Sequence, residues 1–336
     1  MKLRTLLTVF FLASISFPLL SYGEEKNNFA FERFNLYFEN DIFDQTDKGY
    51  TNGVKFSAIY KVNTDVYPFF KIPFLFDESK NHFVTFSLGQ DIFTPEDTNA
   101  TIPDPNDIPY AGWLYGGISW QQADAENSDT IELQLGVVGP AALGEQVQNG
   151  IHAKTGSDIA NGWDSQLHNE FGFILSYEHR WRHVTDELFW GINADVIPFA
   201  SGSLGNVLTY LGTGAAVRFG WNIPHDFGKS VTHPAQEAGL PAYNRGDTRH
   251  KSKGSFYFLA GYDLGFVIRN IFLDGNTFKD SASVPERDYF IGEFTAGIGV
   301  DIYDIHVAFM NTHKTQDFAL DTKGFSFGSI AVSYVY

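Results

Sequence analysis

Long stretches in which apolar and polar residues alternate are the feature that most constrains this chain. Residues 130–137 alternate without interruption, and the longer segments 206–221 and 254–269 carry the same pattern. A period of two places successive side chains on opposite faces of a strand. The chain is therefore predicted to form strands with one apolar face and one face of polar or small residues.

The lengths of these stretches decide between a soluble sandwich and a membrane barrel. Segments 206–221 and 254–269 are each about 15 residues long, whereas strands of soluble proteins usually have about 5–6. A tilted strand needs about 9–11 residues to cross the membrane, and further residues where it extends beyond the bilayer. The last segment, 330–336, alternates and ends on an aromatic residue, like the assembly signal of bacterial outer-membrane barrels. These observations predict an all-β fold, a transmembrane antiparallel β-barrel.

The alternation predicts about 12 strands, an even number as bacterial single-chain barrels require. A short helix is predicted in one outer loop, from Gly144 towards a stop at Gly156. The predicted strands lie near 32–39, 51–60, 82–90, 112–122, 129–138, 170–183, 186–198, 204–222, 254–269, 287–303, 304–315 and 324–336.

The N-terminal residues have the composition of a secretory signal. Lys2 and Arg4 precede an apolar run over 6–20, and small residues follow at 21–23. We therefore expect a signal peptide at 1–23 and one barrel domain at 24–336. The chain has no cysteine, so it can form no disulfide bonds after export.

Charge excludes one large class of function. The net charge is −17 and the isoelectric point is about 4.9, whereas nucleic-acid binding needs a basic face. No stretch beyond the signal is apolar enough for a transmembrane helix, and the mean hydropathy is −0.16. A membrane barrel is compatible with that value because its lipid-facing residues are only every second residue.

The strand order assigns the connections to the two ends of the barrel. If the N-terminus is periplasmic, segments 61–81 and 223–253 are periplasmic, and both are long for such turns. The remaining long connections are then outer loops, at 40–50, 91–111, 139–169, 199–203, 270–286 and 316–323.

Polar groups that could do chemistry fall at this outer end. Gln148 and His152 are four apart, so on a helix they share one face. A neutral imidazole beside an amide, with the carboxylate of Asp158 beyond, is a credible general-base arrangement. Oxygen-rich groups such as Asp41 and Asp158 suit a hard cation such as Ca²⁺. The alternative is a solvated histidine on a surface helix, since a lone Gln-x-x-x-His is a weak motif.

Several motifs together resemble the outer-membrane lipid A 3′-O-deacylase family. The resemblance spans essentially the whole mature chain. The motifs are Phe38-Glu-Asn-Asp41, Gly49-Tyr-Thr-Asn-Gly53, Pro109-Tyr-Ala-Gly-Trp113, Val138-Gly-Pro140, Glu145-x-Val-Gln-Asn149 with His152, Gly162-Trp-Asp-x-Gln166, and Arg269-Asn-Ile-Phe-Leu-Asp-Gly-Asn-Thr277.

The resemblance implies a twelve-stranded outer-membrane barrel and a Ca²⁺-dependent esterase. Its substrate would be lipid A of lipopolysaccharide in the outer membrane, from which it removes the 3′-linked acyloxyacyl chain. The family's functional residues fall on Asn40, Asp41, Thr51, Gln148, His152 and Asp158.

The implied roles divide this set in two. His152 is the expected general base that activates water, and Gln148 and Asn40 orient the base, the water or the ester carbonyl. Asp41 and Asp158, with oxygen from Thr51, are the expected Ca²⁺ ligands, and the active site faces the outer leaflet.

Two features depart from the family pattern. Asp158 stands where the best-aligned family member has Glu. The loop 91–111 is acidic and carries no Lys or Arg. This leaves the headgroup preference open, as the sequence leaves the oligomeric state and the acyl chain length open.

Other functions remain as alternatives. A non-enzymatic outer-membrane porin would explain the barrel, and a lipocalin-like binder would explain alternating strands. Gly324-Phe-Ser326-Phe-Gly328 matches the G-x-S-x-G motif of serine hydrolases, but that motif requires a strand–turn–helix elbow. His168 is a second candidate for the base.

Overall fold

The computed structural model describes residues 28–40, 49–72, 74–228, 239–243, 254–319 and 324–336. The predicted signal peptide at 1–23 and the predicted ligand Asp41 lie outside these residues. Within the described part, strands account for most of the chain and helices are few and short.

Thirteen strand segments form one antiparallel sheet in which consecutive segments pair, except β6 and β7. The first pairs with the last, and β6 pairs with β8, so the sheet closes into a barrel. The segments are β1 (Phe29–Asn40), β2 (Gly49–Val62), β3 (Asn81–Thr94), β4 (Ala111–Ala123), β5 (Asn127–Val138), β6 (Glu170–Trp181), β7 (His183–Phe189), β8 (Ile192–Gly205), β9 (Leu208–Trp221), β10 (Gly254–Asn270), β11 (Phe290–Ile302), β12 (Ile305–Lys314) and β13 (Phe325–Val335).

Segments β6 and β7 are two parts of one strand of the wall. Arg180 pairs with Phe199 on β8, and three residues later His183 pairs with Val196, so the register continues across the break. The barrel therefore has twelve strands, and the predicted fold class is confirmed.

The boundaries predicted between residues 183 and 205 are wrong. The chain reverses at Trp190 and Gly191, which both have positive φ (51° and 74°), as a tight hairpin turn between twisted strands requires. The segment predicted as an outer loop, 199–203, is instead part of β8. Its small residues resemble a loop in sequence, but they pair along β9 in unbroken register.

The two faces of the wall have opposite polarity. Along β6, Phe171, Phe173 and Leu175 are exposed on the outer face, whereas Ser176 and Glu178 are buried on the inner face. A soluble sandwich would show the reverse. Apolar side chains outside and polar ones inside are typical of a barrel wall in lipid.

Two α-helices occur in the described residues, α1 (Gly144–Thr155) and α2 (Ile271–Asp274). Both lie in connections at one end of the barrel, here called the α1 end, and α1 confirms the predicted loop helix. Neither helix is long and apolar enough to cross a membrane. Three-residue 3₁₀ turns occur at Pro68–Phe70, Pro140–Ala142 and Trp163–Ser165.

The β9–β10 connection fills the lumen at the opposite end. Its residues Phe227, Leu240 and Tyr243 pack against inward side chains of the wall such as Ile59 and Phe83. The β9–β10 connection is longer than a simple turn because part of it forms a plug in the lumen. We call residues 222–228 and 239–243 the plug.

Buried ion pairs fix the plug to the wall. The Asp226 carboxylate accepts from Arg218 at 2.6 Å and lies 3.5 Å from the Arg33 guanidinium. Arg218 also pairs with Asp195 at 2.5 Å, and Arg180 donates to the Phe227 carbonyl at 2.9 Å. Burial by itself would raise the pKa of Asp226, but the guanidinium groups of Arg218 and Arg33 lower it below its ordinary value of 3.8.

We expect Asp226→Asn to destabilise the protein by about 3–5 kcal/mol, because it leaves buried guanidinium charge uncompensated. The urea midpoint of tryptophan emission in micelles measures this. Asp304→Asn, in an exposed turn, is the control and should change the free energy of unfolding by less than about 0.5 kcal/mol.

The same pair predicts the pH dependence. The folded-state pKa of Asp226 is lowered, so its contribution to stability is present above the ordinary value of 3.8 and is lost as the pH falls below it. The difference in stability between wild type and Asp226→Asn should therefore shrink in acid. A difference that stays constant from neutral pH down to strong acid would contradict this assignment.

Candidate active site

The predicted site residues of β1 and β2 lie on the outer face of the wall. Their neighbours Glu39 and Tyr50 line a cavity inside the lumen, so Asn40 and Thr51 are directed away from it. The Asn40 side-chain amide donates to the Thr51 carbonyl at 3.2 Å. The Thr51 hydroxyl lies 2.6 Å from the hydroxyl of Thr94 on β3. These three residues form a polar row across adjacent strands at the α1 end.

A β-bulge gives Thr51 its direction. In the β2–β3 ladder Tyr50 pairs with Phe93 and Asn52 pairs with Ile92, so Thr51 is an extra residue. Without it, strict alternation would direct the side chain of residue 51 into the lumen. Bulges redirect side chains in this way and are frequent beside active sites.

Helix α1 is held against the outer face of β3 and β4. Gln90 of β3 donates to the Ala142 carbonyl at 2.5 Å. A Cβ at Gly112 of β4 would lie 3.3 Å from the Gly144 backbone nitrogen, so glycine permits the close approach. Leu143, immediately before α1, has a left-handed backbone (φ 62°), an unusual conformation for a leucine. The helix start is thus fixed by wall contacts and not by a side-chain cap.

Gln148 lies on the buried side of α1. Its Oε1 accepts from the indole nitrogen of Trp163 at 2.9 Å, which fixes the orientation of the amide. Gln148 is 4% exposed, and its Nε2 has no hydrogen-bond partner among the described residues. A buried amide donor without a partner costs about 1–3 kcal/mol, and each such group in a native structure requires an explanation.

His152 lies one turn further along α1 and is half-buried. Its Nδ1 is 2.5 Å from the backbone carbonyl of Asp158. The Asp158 side chain is exposed, so the contact of this residue with the imidazole is through the backbone. The predicted pair Gln148 and His152 therefore shares a helix, with different partners fixing each side chain.

The wall and the helix meet at Ile92. This residue pairs with Asn52, beside Thr51, and packs with Trp163 and Val147. Trp163 in turn holds Gln148. The structure thus brings Asn40, Thr51, Gln148 and His152 to one region at the α1 end, outside the lumen.

Sequence reasoning missed the residues that support the site. The Tyr110 ring lies 4.8 Å from that of Trp163, and the Tyr110 carbonyl accepts from the backbone of Leu167. Both aromatic residues belong to motifs that carried the family resemblance. Neither is charged or nucleophilic, so residue type alone gave no reason to choose them, although the motifs held the signal.

A clamp holds the far end of the α1 loop. The Glu170 carboxylate accepts from the side-chain amides of Asn206 and Asn276, at 3.0 and 3.1 Å, and from the Thr277 backbone at 2.8 Å. Asn276 also binds both backbone groups of His168, the second candidate base. The motif over 269–277 therefore connects the β10–β11 loop to the end of the β5–β6 loop through hydrogen bonds.

The described residues alone do not complete a calcium site. They contain no group of three His, Asp or Glu side chains that could hold a metal ion. Thr51 and Asp158 supply hydroxyl and carboxylate oxygen, the donor chemistry that Ca²⁺ prefers. Asp41, the remaining predicted ligand, follows Asn40 directly but lies outside the described residues.

Ser326 has a histidine partner but no nucleophile elbow. Its hydroxyl lies 2.9 Å from His313 Nδ1, across the β12–β13 ladder. Both residues are in regular strands, and Phe325 and Phe327 on either side of Ser326 line the lumen. A serine elbow requires a sharp strand-to-helix turn, so this arrangement is a cross-strand pair on a barrel wall.

Together, the closed twelve-strand wall, its apolar outer face and its polar inner face define a β-barrel protein of the outer-membrane class. The family model described as outer membrane protein LpxR matches residues 6–336. The chain therefore belongs to that family and is an outer-membrane protein. The resemblance predicted from the sequence motifs is confirmed.

The search of solved structures found a match that agrees on the fold and others of lower similarity. LpxR from Salmonella typhimurium is 20% identical, with a TM-score of 0.72 over 90% of this chain and 100% of that chain. The β domain of the Bordetella autotransporter BrkA is 11% identical, with a TM-score of 0.43 over 92% and 99% of the two chains. No curated protein sequence matches the chain.

Two glycines of α1 offer a matched test of how the helix is held. A Cβ at Gly144 would lie 2.7 Å from the Trp163 ring, whereas a Cβ at Gly150 would meet nothing within 4 Å. We expect Gly144→Ala to displace α1 at a cost of about 1–3 kcal/mol. Gly150→Ala should stabilise the helix by about 0.5–1 kcal/mol.

Hydrogen exchange of the α1 amides measures both effects, with faster exchange expected in Gly144→Ala and slower exchange in Gly150→Ala. Equal exchange in the two variants would show that contact with Trp163 does not position the helix.

Proposed function

We propose that this protein is a lipid A 3′-O-deacylase, an esterase that releases the 3′-linked acyloxyacyl chain with His152 as the general base. The observation that carries the proposal is the hydrogen bond between His152 Nδ1 and the Asp158 carbonyl. Family membership and the combination of motifs support the choice of substrate.

The Asp158 carbonyl determines the tautomer of His152. A carbonyl oxygen only accepts hydrogen bonds, so the neutral ring must carry its proton on Nδ1. The lone pair is then on Nε2, which is free to take a proton from water. A hydrogen bond from one ring nitrogen to a carbonyl is the usual way in which the other nitrogen is selected as the base.

Gln148 supplies a donor for the developing charge. Because Trp163 occupies Oε1, the amide presents its Nε2–H groups, which have no partner among the described residues. A fixed donor in a site from which water is excluded stabilises an oxyanion strongly. This role explains why a buried amide is left half-satisfied.

The proposed reaction is direct hydrolysis. His152 Nε2 removes a proton from water as the oxygen attacks the ester carbonyl, and Gln148 donates to the resulting oxyanion. The tetrahedral intermediate then expels the sugar alkoxide, which takes the proton back from the imidazolium. Asn40, fixed by the Thr51 carbonyl, orients the water or the carbonyl.

The position of the site suits a substrate that stays in the membrane. Asn40 and Thr51 lie on the face of the wall that carries the apolar belt, not in the lumen. A lipid ester could reach them by lateral diffusion, with its acyl chains along the apolar wall. We propose that the α1 end faces the outer leaflet, where lipopolysaccharide lies.

The proposal includes calcium because the predicted ligands offer the oxygen atoms that this ion prefers. Asp41, Asp158 and Thr51 would hold the ion through oxygen, as the family resemblance implies. When bound, Ca²⁺ polarises an ester carbonyl and stabilises negative charge on its oxygen. The steps assigned above to His152 and Gln148 stand on contacts within the chain itself.

A planar-bilayer experiment distinguishes the proposed esterase from the alternative, a non-enzymatic porin. The plug and its ion pairs cross the lumen, so we expect little conductance in planar bilayers beside clear ester release from lipid A. Steady conductance without ester release would support the porin instead.

We expect His152→Asn to lower the rate of ester release by about 10²–10⁴, because Nε2 no longer accepts a proton while the barrel still assembles. Mass spectrometry of lipid A incubated with the purified protein measures this. Ser326→Ala is the control and should retain nearly full activity, since Ser326 belongs to a cross-strand pair.

Normal turnover by His152→Asn would end the assignment of the base, and His168 would be tested next. Loss of activity in a folded Ser326→Ala protein would instead revive a serine mechanism.

We expect chelation with EDTA to silence the enzyme, with Ca²⁺ restoring activity. Mg²⁺ should restore it poorly, because it demands tighter octahedral geometry. Asp158→Asn should lose activity at ordinary Ca²⁺ and regain part of it at high Ca²⁺, whereas Asp158→Glu, which keeps the charge, should retain much of it. Hydrolysis that is indifferent to EDTA would remove the metal from the mechanism.

A further inference from the structure

The β2–β3 connection folds back over the outer face of the wall. Tyr60, Val62 and Val84 lie on the lipid-facing side, yet they are at most 4% exposed. Phe70 from the connection packs on this cluster, and the rings of Tyr67 and Phe70 contact Phe29 of β1. The connection therefore covers wall that would otherwise face lipid.

Outward-facing side chains of β4 pin the connection in place. Gln122 Nε2 donates to the Leu75 carbonyl at 2.6 Å, and Gln122 Oε1 accepts from the Asp77 backbone at 3.0 Å. Two residues earlier on the same face, the Trp120 ring lies 6.1 Å from that of Phe69. The connection is thus attached to the outside of the barrel and continues its lipid-facing surface.

The connection turns apolar side chains away from the wall. Phe69 is 71% exposed and Phe74 is fully exposed, and Val66, Tyr67 and Leu75 are also exposed. So many exposed apolar side chains within one short connection mark an interaction surface. Aromatic residues in particular concentrate where membrane meets water.

Charged groups on the outer face mark where the hydrocarbon ends. Asp129 of β5 is paired with Lys80 at 3.1 Å and with His179 at 2.6 Å, and Gln122 donates to it at 3.0 Å. Since Gln122 also holds the backbone at Leu75 and Asp77, the connection lies at this polar boundary. Its apolar side chains are therefore placed at headgroup depth.

We propose that residues 66–72 and 74–76 form an interfacial anchor, which inserts Phe69 and Phe74 into the phospholipid leaflet at the end of the barrel opposite α1. The occupant of this surface is the headgroup and upper acyl region of a bilayer, because the anchor extends the lipid-facing belt of the wall. Exposed polar residues at either side, Asp65 and Glu78, remain in water.

The absence of cysteine from the chain makes the test direct. Phe69→Cys and Phe74→Cys each introduce a single thiol for a nitroxide spin label, and the protein is folded into vesicles of phosphatidylethanolamine and phosphatidylglycerol. Collision rates with oxygen, which concentrates in the bilayer, and with a water-soluble nickel complex then report the depth of each label.

Two matched variants calibrate the measurement. Leu175→Cys lies on the exposed apolar face of β6 and reports lipid, and Glu78→Cys reports water. The anchor predicts that labels at 69 and 74 have an oxygen-to-nickel ratio several-fold above that at 78 and between the values at 78 and 175. Heat-modifiable migration on gels confirms folding of each variant. Labels at both 69 and 74 with the nickel accessibility of position 78 would overturn the proposal.

Discussion

A strand in hydrocarbon must pair all its backbone N–H and C=O groups within the protein, because no water is present to receive them. This requirement explains why the sheet has no free edge. The ring closes through β1 with β13 and through β6 with β8, and the break at Arg182 does not interrupt the register. The closed ring then obliges each strand to divide its side chains between lipid and lumen. The alternation of apolar and polar residues in the sequence results from this division.

The lumen carries the interactions that stabilise the closed ring. Many of the polar and charged side chains turned inward are buried, and several of them pair with one another and with the plug. Arg218 satisfies two carboxylates and two carbonyls at once. Charge-assisted bonds of this kind fix geometry as well as energy. A rigid wall of this type is a suitable base on which loops can hold a reactive site.

Much of the fold could be predicted because alternation survives in most strands. It failed between 183 and 205, where Ala200, Ser201 and Gly202 are small on both faces and carry no parity. The strand boundaries of that region are set by the turn at Trp190 and Gly191. The plug was also beyond sequence reasoning, because its contacts with Ile59 and Phe83 join segments far apart in the chain. The length of 223–253 was noted, but its position inside the lumen was not predicted.

The motifs predicted the residues of the candidate site but not its geometry. Motifs gave Asn40, Gln148 and His152, while Asp41 remains outside the described residues. The motifs could not reveal that Thr51 is the extra residue of a bulge. Nor could they reveal that the Trp163 indole binds the oxygen end of the Gln148 amide. Both facts depend on long-range pairing, which residue type and spacing do not encode.

Three departures from regular structure occur where the chemistry is proposed. The bulge at Thr51, the left-handed Leu143 and the Gln148 amide donor, which has no partner among the described residues, all lie at the α1 end, on the outer face. Each is unfavourable locally and persists only because the surrounding wall and loops over-determine it. Elsewhere the β2–β3 ladder is regular. A folded protein tolerates such features at functional sites, but bulges, left-handed residues and buried atoms without a partner also occur elsewhere in the described residues. The candidate site is distinguished instead by the contacts within it, from His152 to the Asp158 carbonyl and from Trp163 to Gln148.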